Sequence, residues 1–235
     1  MALKPWKLFA FLIEILAQEL YNGYGSCSEG TGNGGVSEKE YNKAKDALWD
    51  AVYKQYPLAR ARLIKKNEIE DILKEYKDEI NKAAERYGVP AEIIAGIIVK
   101  EQITQSLPDI VGLGDTLIRG RQHSVGLGAV FPSTAKEAWY NVDIAGAYMH
   151  GIYGTNAEIE LKLMADNEAS INTIAVVLNY YAIQKFDTKD VSNLSMEQWK
   201  EVVGRYNATD DNSKAQKKYS DYVYDYLDPL RTMLK

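Results

Sequence analysis

The stretch that most constrains the fold reads Val89-Pro90-Ala91-Glu92-Ile93-Ile94-Ala95-Gly96-Ile97-Ile98-Val99-Lys100-Glu101. Pro90 suits the first turn of a helix, where its missing N–H is not needed, and Gly88 is placed to end the helix before it. The residues that follow are apolar on nearly every side. A helix of this composition is typically buried, so we expect it at the centre of a helical domain.

Glu101 stands at the end of an apolar stripe formed by Ile94, Ile97 and Ile98. The spacing i, i+3, i+4, i+7 places all four residues on one helix face. A glutamate on a helix is more commonly a solvated surface residue, but this face is expected to pack into the core. Desolvation would then raise the pKa of the Glu101 carboxyl toward the range that a general acid needs. We therefore take Glu101 as the candidate catalytic residue.

A glycine-rich segment about 25 residues downstream runs into a helix start: Ser124-Val125-Gly126-Leu127-Gly128-Ala129-Val130-Phe131-Pro132-Ser133-Thr134-Ala135. Turn glycines are more often structural than catalytic. A glutamate at the edge of a core followed by such a segment nevertheless indicates a site that cleaves glycans.

Two of these segments resemble a known family. The range Tyr87–Glu101 resembles the opening of the catalytic domain in soluble-lytic-transglycosylase-type and goose-type lysozyme enzymes, where a similar helix start leads to a glutamate. The range Gly126–Ala135 is similar to that family's Gly-Leu-Met-Gln segment with Pro-Ser-Thr-Ala behind it. In the family this segment forms one wall of the saccharide cleft, where missing side chains let the backbone approach the sugar.

Two further matches lie near the C-terminus. Tyr206-Asn207-Ala208 is similar to the family's Tyr-Asn-Ala-Gly segment, and Tyr219 with Val223 resembles the tyrosine and valine of its closing helix. The matches occur in family order over roughly residues 76–228. The resemblance places Tyr206 beside the acid, where its hydroxyl can orient the carboxyl group.

The resemblance implies a mainly α, lysozyme-like domain (α+β at most) that cleaves the β-1,4 bond between N-acetylmuramic acid and N-acetylglucosamine in peptidoglycan. Glu101 would be the acid, and glycan strands would be the partner. The residues implied to contact substrate are Gln102, Ser124, Gly126, Leu127, Gly128, Ala129, Tyr206 and Asn207.

Several positions depart from the family pattern. Gln102 replaces the serine that usually follows the acid, Gly128-Ala129 replaces Met-Gln, and Thr209 stands where the last segment has glycine. The family's glutamine lines the cleft, so Ala129 is the best support for a different class of protein. That alternative is a non-catalytic glycan-binding or assembly module that keeps the fold.

Two chemistries are open for an enzyme of this kind. A lytic transglycosylase uses one carboxyl group and forms a 1,6-anhydro product, which suits a chain whose one carboxylate in a recognisable context is Glu101. A hydrolase needs a second carboxylate roughly 6.5–9.5 Å from the acid to activate water. Asp109 and Asp115, in the segment after the acid, are the candidates. We favour the transglycosylase.

Composition excludes other classes of function. The 235-residue chain carries a formal net charge of −5, which disfavours a nucleic-acid partner. A single cysteine, Cys27, and two histidines, His123 and His150, leave no basis for a cysteine or histidine metal site. We expect no metal and no cofactor.

The sequence predicts three regions. Residues 1–36 hold an apolar segment and a glycine-rich linker, residues 37–75 form a helical extension, and residues 76–235 form the catalytic domain. Ser37 and Glu40 form a capping box at the start of the extension. The apolar segment is either a short secretory signal or an amphipathic helix that docks on a membrane or protein through residues 6–21. The expected location is outside the cytoplasm, at the cell wall or secreted.

Helical patterns cover most of the remaining chain, and no long strand is predicted. One pattern runs from Ile69 to Tyr87. The later predicted helices are Ala135–Trp139, Ala145–Ile152, Ala157–Ala165, Ser170–Phe186, Met196–Tyr206 and Lys214–Leu234.

Overall fold

The computed structural model describes residues 36–57, 63–104, 123–207 and 213–235. The prediction of a mainly α fold is confirmed. Within these ranges the extended structure is limited to one antiparallel bridge between Val125 and Val130. Residues 36–235 belong to one compact unit. The predicted apolar segment and linker, and with them the docking region 6–21, lie outside the described residues.

Eleven α-helices and one short 3-10 helix make up the described part of the chain. In chain order they are α1 (Glu38–Gln55), α2 (Leu63–Glu75), α3 (Lys77–Tyr87), α4 (Ala91–Thr104), α5 (Pro132–Val142), α6 (Ile144–Met149), α7 (Asn156–Ala165), α8 (Asn167–Phe186), the 3-10 helix (Val191–Asn193), α9 (Met196–Asn207), α10 (Ser213–Tyr224) and α11 (Leu227–Met233).

Helix α4 is the central helix, as its composition predicts. Every residue from Ile93 to Lys100 is buried, and α2, α3, α8, α10 and α11 all pack against it. Helix α10 packs closely on α4 at Gly96, where an added Cβ would lie 2.9 Å from Val223 Cγ1. Tyr219, one helical turn before Val223, is thereby directed toward the C-terminal end of α4.

The predicted helix ends at Ser37 and Gly88 are confirmed. Ser37 forms a reciprocal capping box with Glu40 at the start of α1. Gly88 adopts a left-handed conformation, with φ of +66°, and ends α3. The carbonyl of Tyr87 accepts a hydrogen bond of 2.7 Å from Asn179 Nδ2, which ties this end of α3 to α8.

Three predicted helices are divided or shortened in the structure, whereas others, such as α5 and α8, extend beyond their predicted ends. The predicted helix Lys214–Leu234 is wrong as a single element, because it divides into α10 and α11. Pro229 explains the break, since proline has no N–H and is tolerated only in the first turn of a helix. The pattern from Ile69 to Tyr87 likewise divides at Tyr76, and nothing in the structure explains this break.

The third difference is at the end of α6. This helix stops at Met149 rather than continuing to Ile152. Gly151 has φ of +71°, in the left-handed region, which is incompatible with a continued α-helix.

The described part of the extension packs on the rest of the unit. Helix α1 contacts α11, and α2 contacts α3 and α4. Gln55, at the end of α1, donates to the Tyr222 carbonyl at 3.2 Å and to Asp225 Oδ2 at 3.0 Å. It also accepts a hydrogen bond from the Tyr226 hydroxyl. The C-terminal end of α1 is therefore fastened to the junction of α10 and α11.

None of the helices in the described ranges is long and apolar enough to cross a membrane.

Candidate functional site

Glu101 lies in the last turn of α4 and is only partly exposed. Its Oε1 accepts a hydrogen bond of 2.5 Å from the hydroxyl of Tyr219, a buried residue of α10. The two residues are 118 positions apart in the chain. The close packing of Gly96 and Val223 brings their helices together and thus creates this contact.

The surroundings of Glu101 favour its protonated form. Burial raises the pKa of the Glu101 carboxyl, while Lys100 and the hydrogen bond from Tyr219 oppose that rise. The net direction is upward because desolvation is the largest effect. A carboxyl group of this kind can hold a proton at a higher pH than a solvated glutamate and deliver it to a bound substrate.

Tyr206 stands beside Tyr219 but does not take the role that the resemblance implies. The two rings are stacked, with centroids 6.4 Å apart and planes inclined by 18°. The Tyr206 hydroxyl donates to the Gly128 carbonyl at 2.8 Å. The hydroxyl hydrogen-bonded to Glu101 is that of Tyr219, and Tyr206 instead connects α9 to the glycine turn.

The glycine turn, residues 125–130, is a tight reversal closed by two backbone hydrogen bonds. Val125 N donates to Val130 O at 3.1 Å, and Val130 N donates to Val125 O at 3.0 Å. Gly126 has φ of +74°, and a Cβ there would lie 2.6 Å from the Leu163 carbonyl oxygen. A Cβ on Gly128 would lie 2.4 Å from Ile174 Cγ1. Both glycines are therefore required by close packing.

Side chains from two other helices hold the turn. Ser170 Oγ accepts from the Leu127 backbone N–H at 2.8 Å. Gln102 Nε2 donates to the Leu127 carbonyl at 3.1 Å and to the Gly126 carbonyl at 3.4 Å. Gln102 was predicted to contact substrate, and the structure shows that it links the glycine turn to the end of α4, directly beside Glu101.

The other predicted contact residues occupy different positions around the turn. Ser124 is partly buried just before it, and Asn207 is exposed at the end of α9. The Leu127 side chain is buried, so its contribution to the site is through its backbone. Ala129 is partly buried with φ of +47°, which is unusual for a residue with a Cβ. Asp109 and Asp115 lie outside the described residues.

Lys100 completes the site and was not predicted from the sequence. Its side chain is buried, and its Nζ lies 5.1 Å from the centroid of the Tyr219 ring. The position next to Glu101 was visible in the sequence, but consecutive residues point to different helix faces. Only the packing of α10 against α4 shows that both side chains reach the same tyrosine.

Within the described ranges, no group of three or more histidine, cysteine, aspartate or glutamate residues could hold a metal ion. The chemistry that this part of the chain offers is proton transfer by Glu101, whose neighbour Gln102 is hydrogen-bonded to the glycine turn.

Comparisons with protein-family models, curated proteins and solved structures found no match for this chain. The lysozyme-like character of the domain is therefore part of the proposal below.

Proposed function

We propose that this protein cleaves the β-1,4 bond between N-acetylmuramic acid and N-acetylglucosamine in peptidoglycan, as a lytic transglycosylase with a lysozyme-like domain. The observation that supports this most is the environment of Glu101. Its carboxyl is partly exposed, has a raised pKa and accepts a hydrogen bond from Tyr219. The substrate implies a location outside the cytoplasm, at the cell wall or secreted.

The hydrogen bond from Tyr219 assigns different tasks to the two carboxyl oxygens. Because Oε1 accepts from the tyrosine, the transferable proton belongs on Oε2. Glu101 would donate this proton to the bridging oxygen while the bond between that oxygen and the anomeric carbon of N-acetylmuramic acid breaks. The N-acetylglucosamine unit leaves with the oxygen as a hydroxyl, and an oxocarbenium-like centre develops at the anomeric carbon. The Tyr219 hydroxyl then stabilises the carboxylate that is left, since a hydrogen bond to a charged acceptor is stronger than one to a neutral acceptor.

The second step regenerates the acid without water. The sugar's own 6-hydroxyl attacks the anomeric carbon, and the Glu101 carboxylate takes the proton of that hydroxyl. A C–O bond closes the 1,6-anhydro ring, and Glu101 returns to its protonated state. This cycle needs one carboxyl group and is compatible with the neighbours that act on the Glu101 pKa within the described residues, Lys100 and Tyr219, neither of which is a carboxylate.

The glycine turn would serve as a wall beside the reacting bond. Its residues Gly126 and Gly128 carry no side chains, so the turn packs closely against Leu163 and Ile174, which fixes its position. Gln102, Ser170 and Tyr206 hold the turn through three separate hydrogen-bonded contacts. Because these contacts already order the turn, little further conformational entropy would be lost when substrate binds.

Product analysis tests the proposal. Wild type and Glu101→Gln are incubated with purified sacculi, and released muropeptides are analysed by mass spectrometry. We expect 1,6-anhydro ends from the wild type. The rate of muropeptide release should be about 10²–10⁴-fold lower in Glu101→Gln, the range that a general acid contributes. Glu85→Gln, a change at an exposed glutamate of α3, is the matched control and should retain activity.

The other outcomes identify the alternatives. Products with mainly reducing ends, each one water heavier than the 1,6-anhydro product, would show a hydrolase. Asp109→Ala and Asp115→Ala would then test which aspartate activates water. Equal turnover by wild type and Glu101→Gln would show that Glu101 is not the acid. Binding of sacculi without turnover by the wild type would show a glycan-binding or assembly module.

A further inference from the structure

Lys100 is buried although it carries a charge. The residue is 8 % exposed, and burying an ammonium group is costly unless other groups replace its water. Its Nζ lies 3.4 Å from Thr104 Oγ1, 5.1 Å from the Tyr219 ring centroid and 5.7 Å from the Tyr56 ring centroid. Two aromatic faces thus take the place of part of its hydration through cation–π contacts.

The two aromatic rings come from distant parts of the chain. Tyr56 directly follows α1, and Tyr219 lies on α10. The Tyr56 ring also meets Tyr222 edge to face, with centroids 5.6 Å apart. Gln55 fastens this end of α1 to the Tyr222 carbonyl, as described above. Three elements therefore meet around the Lys100 ammonium.

Lys100 contacts the same tyrosine that is bonded to Glu101. We propose that Lys100 is a positioning residue, whose ammonium holds the Tyr219 ring against the Glu101 carboxyl and stabilises the carboxylate formed after proton donation. A cation over a phenol ring draws electron density from it and makes its hydroxyl a stronger donor. This inference rests on the proposed function for the catalytic task of Glu101, but the contact itself can be tested separately.

The charged and titratable neighbours predict the direction in which the Glu101 pKa shifts when the charge of Lys100 is removed. Within the described residues, Lys218 and Tyr219 of α10 act on the pKa values of Lys100 and Glu101, respectively. Glu101 in turn raises the pKa values of Tyr56 after α1 and Tyr206 of α9. The pKa values of Tyr56, Tyr206 and Tyr219 are raised, chiefly by burial, so these residues stay neutral near neutral pH.

Lys100 is the charged group in this set that opposes the effect of burial on Glu101. Its positive charge lowers the pKa of the Glu101 carboxyl, whereas burial raises it. Removing the charge should therefore raise that pKa further and keep Glu101 protonated to a higher pH.

Direct titration of Glu101 tests the inference without reference to activity. Protein with ¹³C-labelled glutamate is titrated by NMR, and the Glu101 carboxyl resonance is assigned from its absence in Glu101→Gln. We expect Lys100→Met to titrate at a higher pH than wild type and Lys100→Arg to titrate close to wild type. Lys54→Met, at an exposed lysine of α1, removes the same net charge and should leave the midpoint unchanged.

Two further comparisons separate positioning from a merely structural role. In a Tyr219→Phe background, the shift caused by Lys100→Met should become smaller, because the hydroxyl that the cation strengthens is gone. Lys100→Gln provides a second neutral variant, and circular dichroism checks that each variant is folded. An unchanged or lower midpoint in the folded Lys100→Met or Lys100→Gln protein would overturn the inference, and an undiminished shift without the Tyr219 hydroxyl would overturn the role given to the tyrosine.

The activity profile links the inference to the proposed function. With sacculi as substrate, Lys100→Met should shift the alkaline limb of the pH profile upward, and Lys100→Arg should restore it. A wild-type protein that does not turn over sacculi would overturn the proposed function, whereas the NMR midpoint would still decide the effect of Lys100 on Glu101.

Discussion

At the scale of single residues, Glu101 combines a polar group with a site that disfavours its charge. Burial raises its pKa in the folded protein above that of an unfolded chain. The contribution of such a group to the free energy of unfolding is fully present below its unfolded pKa. It is lost as the pH rises through the folded pKa. Residues that lower the stability of the fold in this way are common at functional sites, where activity is retained at the expense of stability.

This linkage predicts the stability of Glu101→Gln. Glutamine cannot ionise, and its carbonyl can still accept from Tyr219. We expect the variant to melt at a higher temperature than wild type at neutral and alkaline pH, with the difference shrinking below about pH 4, near the unfolded pKa of glutamate. Differential scanning calorimetry across pH measures this, and a difference that does not vary with pH would show that Glu101 is not desolvated.

Gly128 gives a second prediction at this scale. A Cβ there would lie 2.4 Å from Ile174 Cγ1 and 2.6 Å from the Tyr206 hydroxyl. We expect Gly128→Ala to destabilise the fold by about 1–3 kcal/mol, the usual cost of overpacking, and to reduce sacculus turnover strongly because the turn must move. Urea unfolding and product release measure the two effects.

Gly151→Ala is the matched control for Gly128→Ala. The atoms nearest to its added Cβ would belong to the Lys162 side chain, at 3.4 Å or more, although φ is +71°. The backbone conformation should cost about 1–2 kcal/mol without affecting turnover. Equal losses of turnover in the two variants would contradict a role for the glycine turn in the site.

At the scale of secondary-structure elements, Gln55 connects α1 to the junction of α10 and α11. It donates to the Tyr222 carbonyl and to Asp225, and it accepts from the hydroxyl of the fully buried Tyr226. This connection also places Tyr56 beside Lys100. The helical extension is thus in contact with the surroundings of the candidate acid.

Gln55→Ala should therefore destabilise the protein by about 1–3 kcal/mol, because the buried Tyr226 hydroxyl loses its acceptor. Chemical denaturation measures the loss, and Lys54→Ala at the adjacent exposed position should change stability by less than about 0.5 kcal/mol. Adding Tyr226→Phe to Gln55→Ala removes the unpaired hydroxyl and should recover part of the loss. A double variant less stable than Gln55→Ala would contradict this account.

At the scale of the whole molecule, the proposed function and the raised pKa of Glu101 together predict the pH range of activity. Only the protonated carboxyl can act as the donor, so turnover of sacculi should fall as the pH rises through that pKa. The measurement is the rate of muropeptide release between acidic and alkaline pH at constant ionic strength. A plateau that extends well into alkaline conditions would exclude a glutamic acid donor.

The sequence by itself determined the features that depend on neighbours along the chain. The capping box at Ser37, the helix end at Gly88 and the burial of α4 all follow from residues within one or two helical turns of each other. The position of Glu101 at the end of that buried helix follows in the same way. These features are predictable because helix caps and helix faces have short, regular periods.

Only the tertiary structure decided which groups meet at the candidate site. The tyrosine bonded to Glu101 is 118 residues away, and the one that holds Gly128 is 78 residues from it. Several tyrosines with similar local patterns could have taken either place. The choice depends on how α9 and α10 pack against each other and how α10 packs on α4, and so on side-chain shapes such as Val223 against Gly96 that no local pattern records.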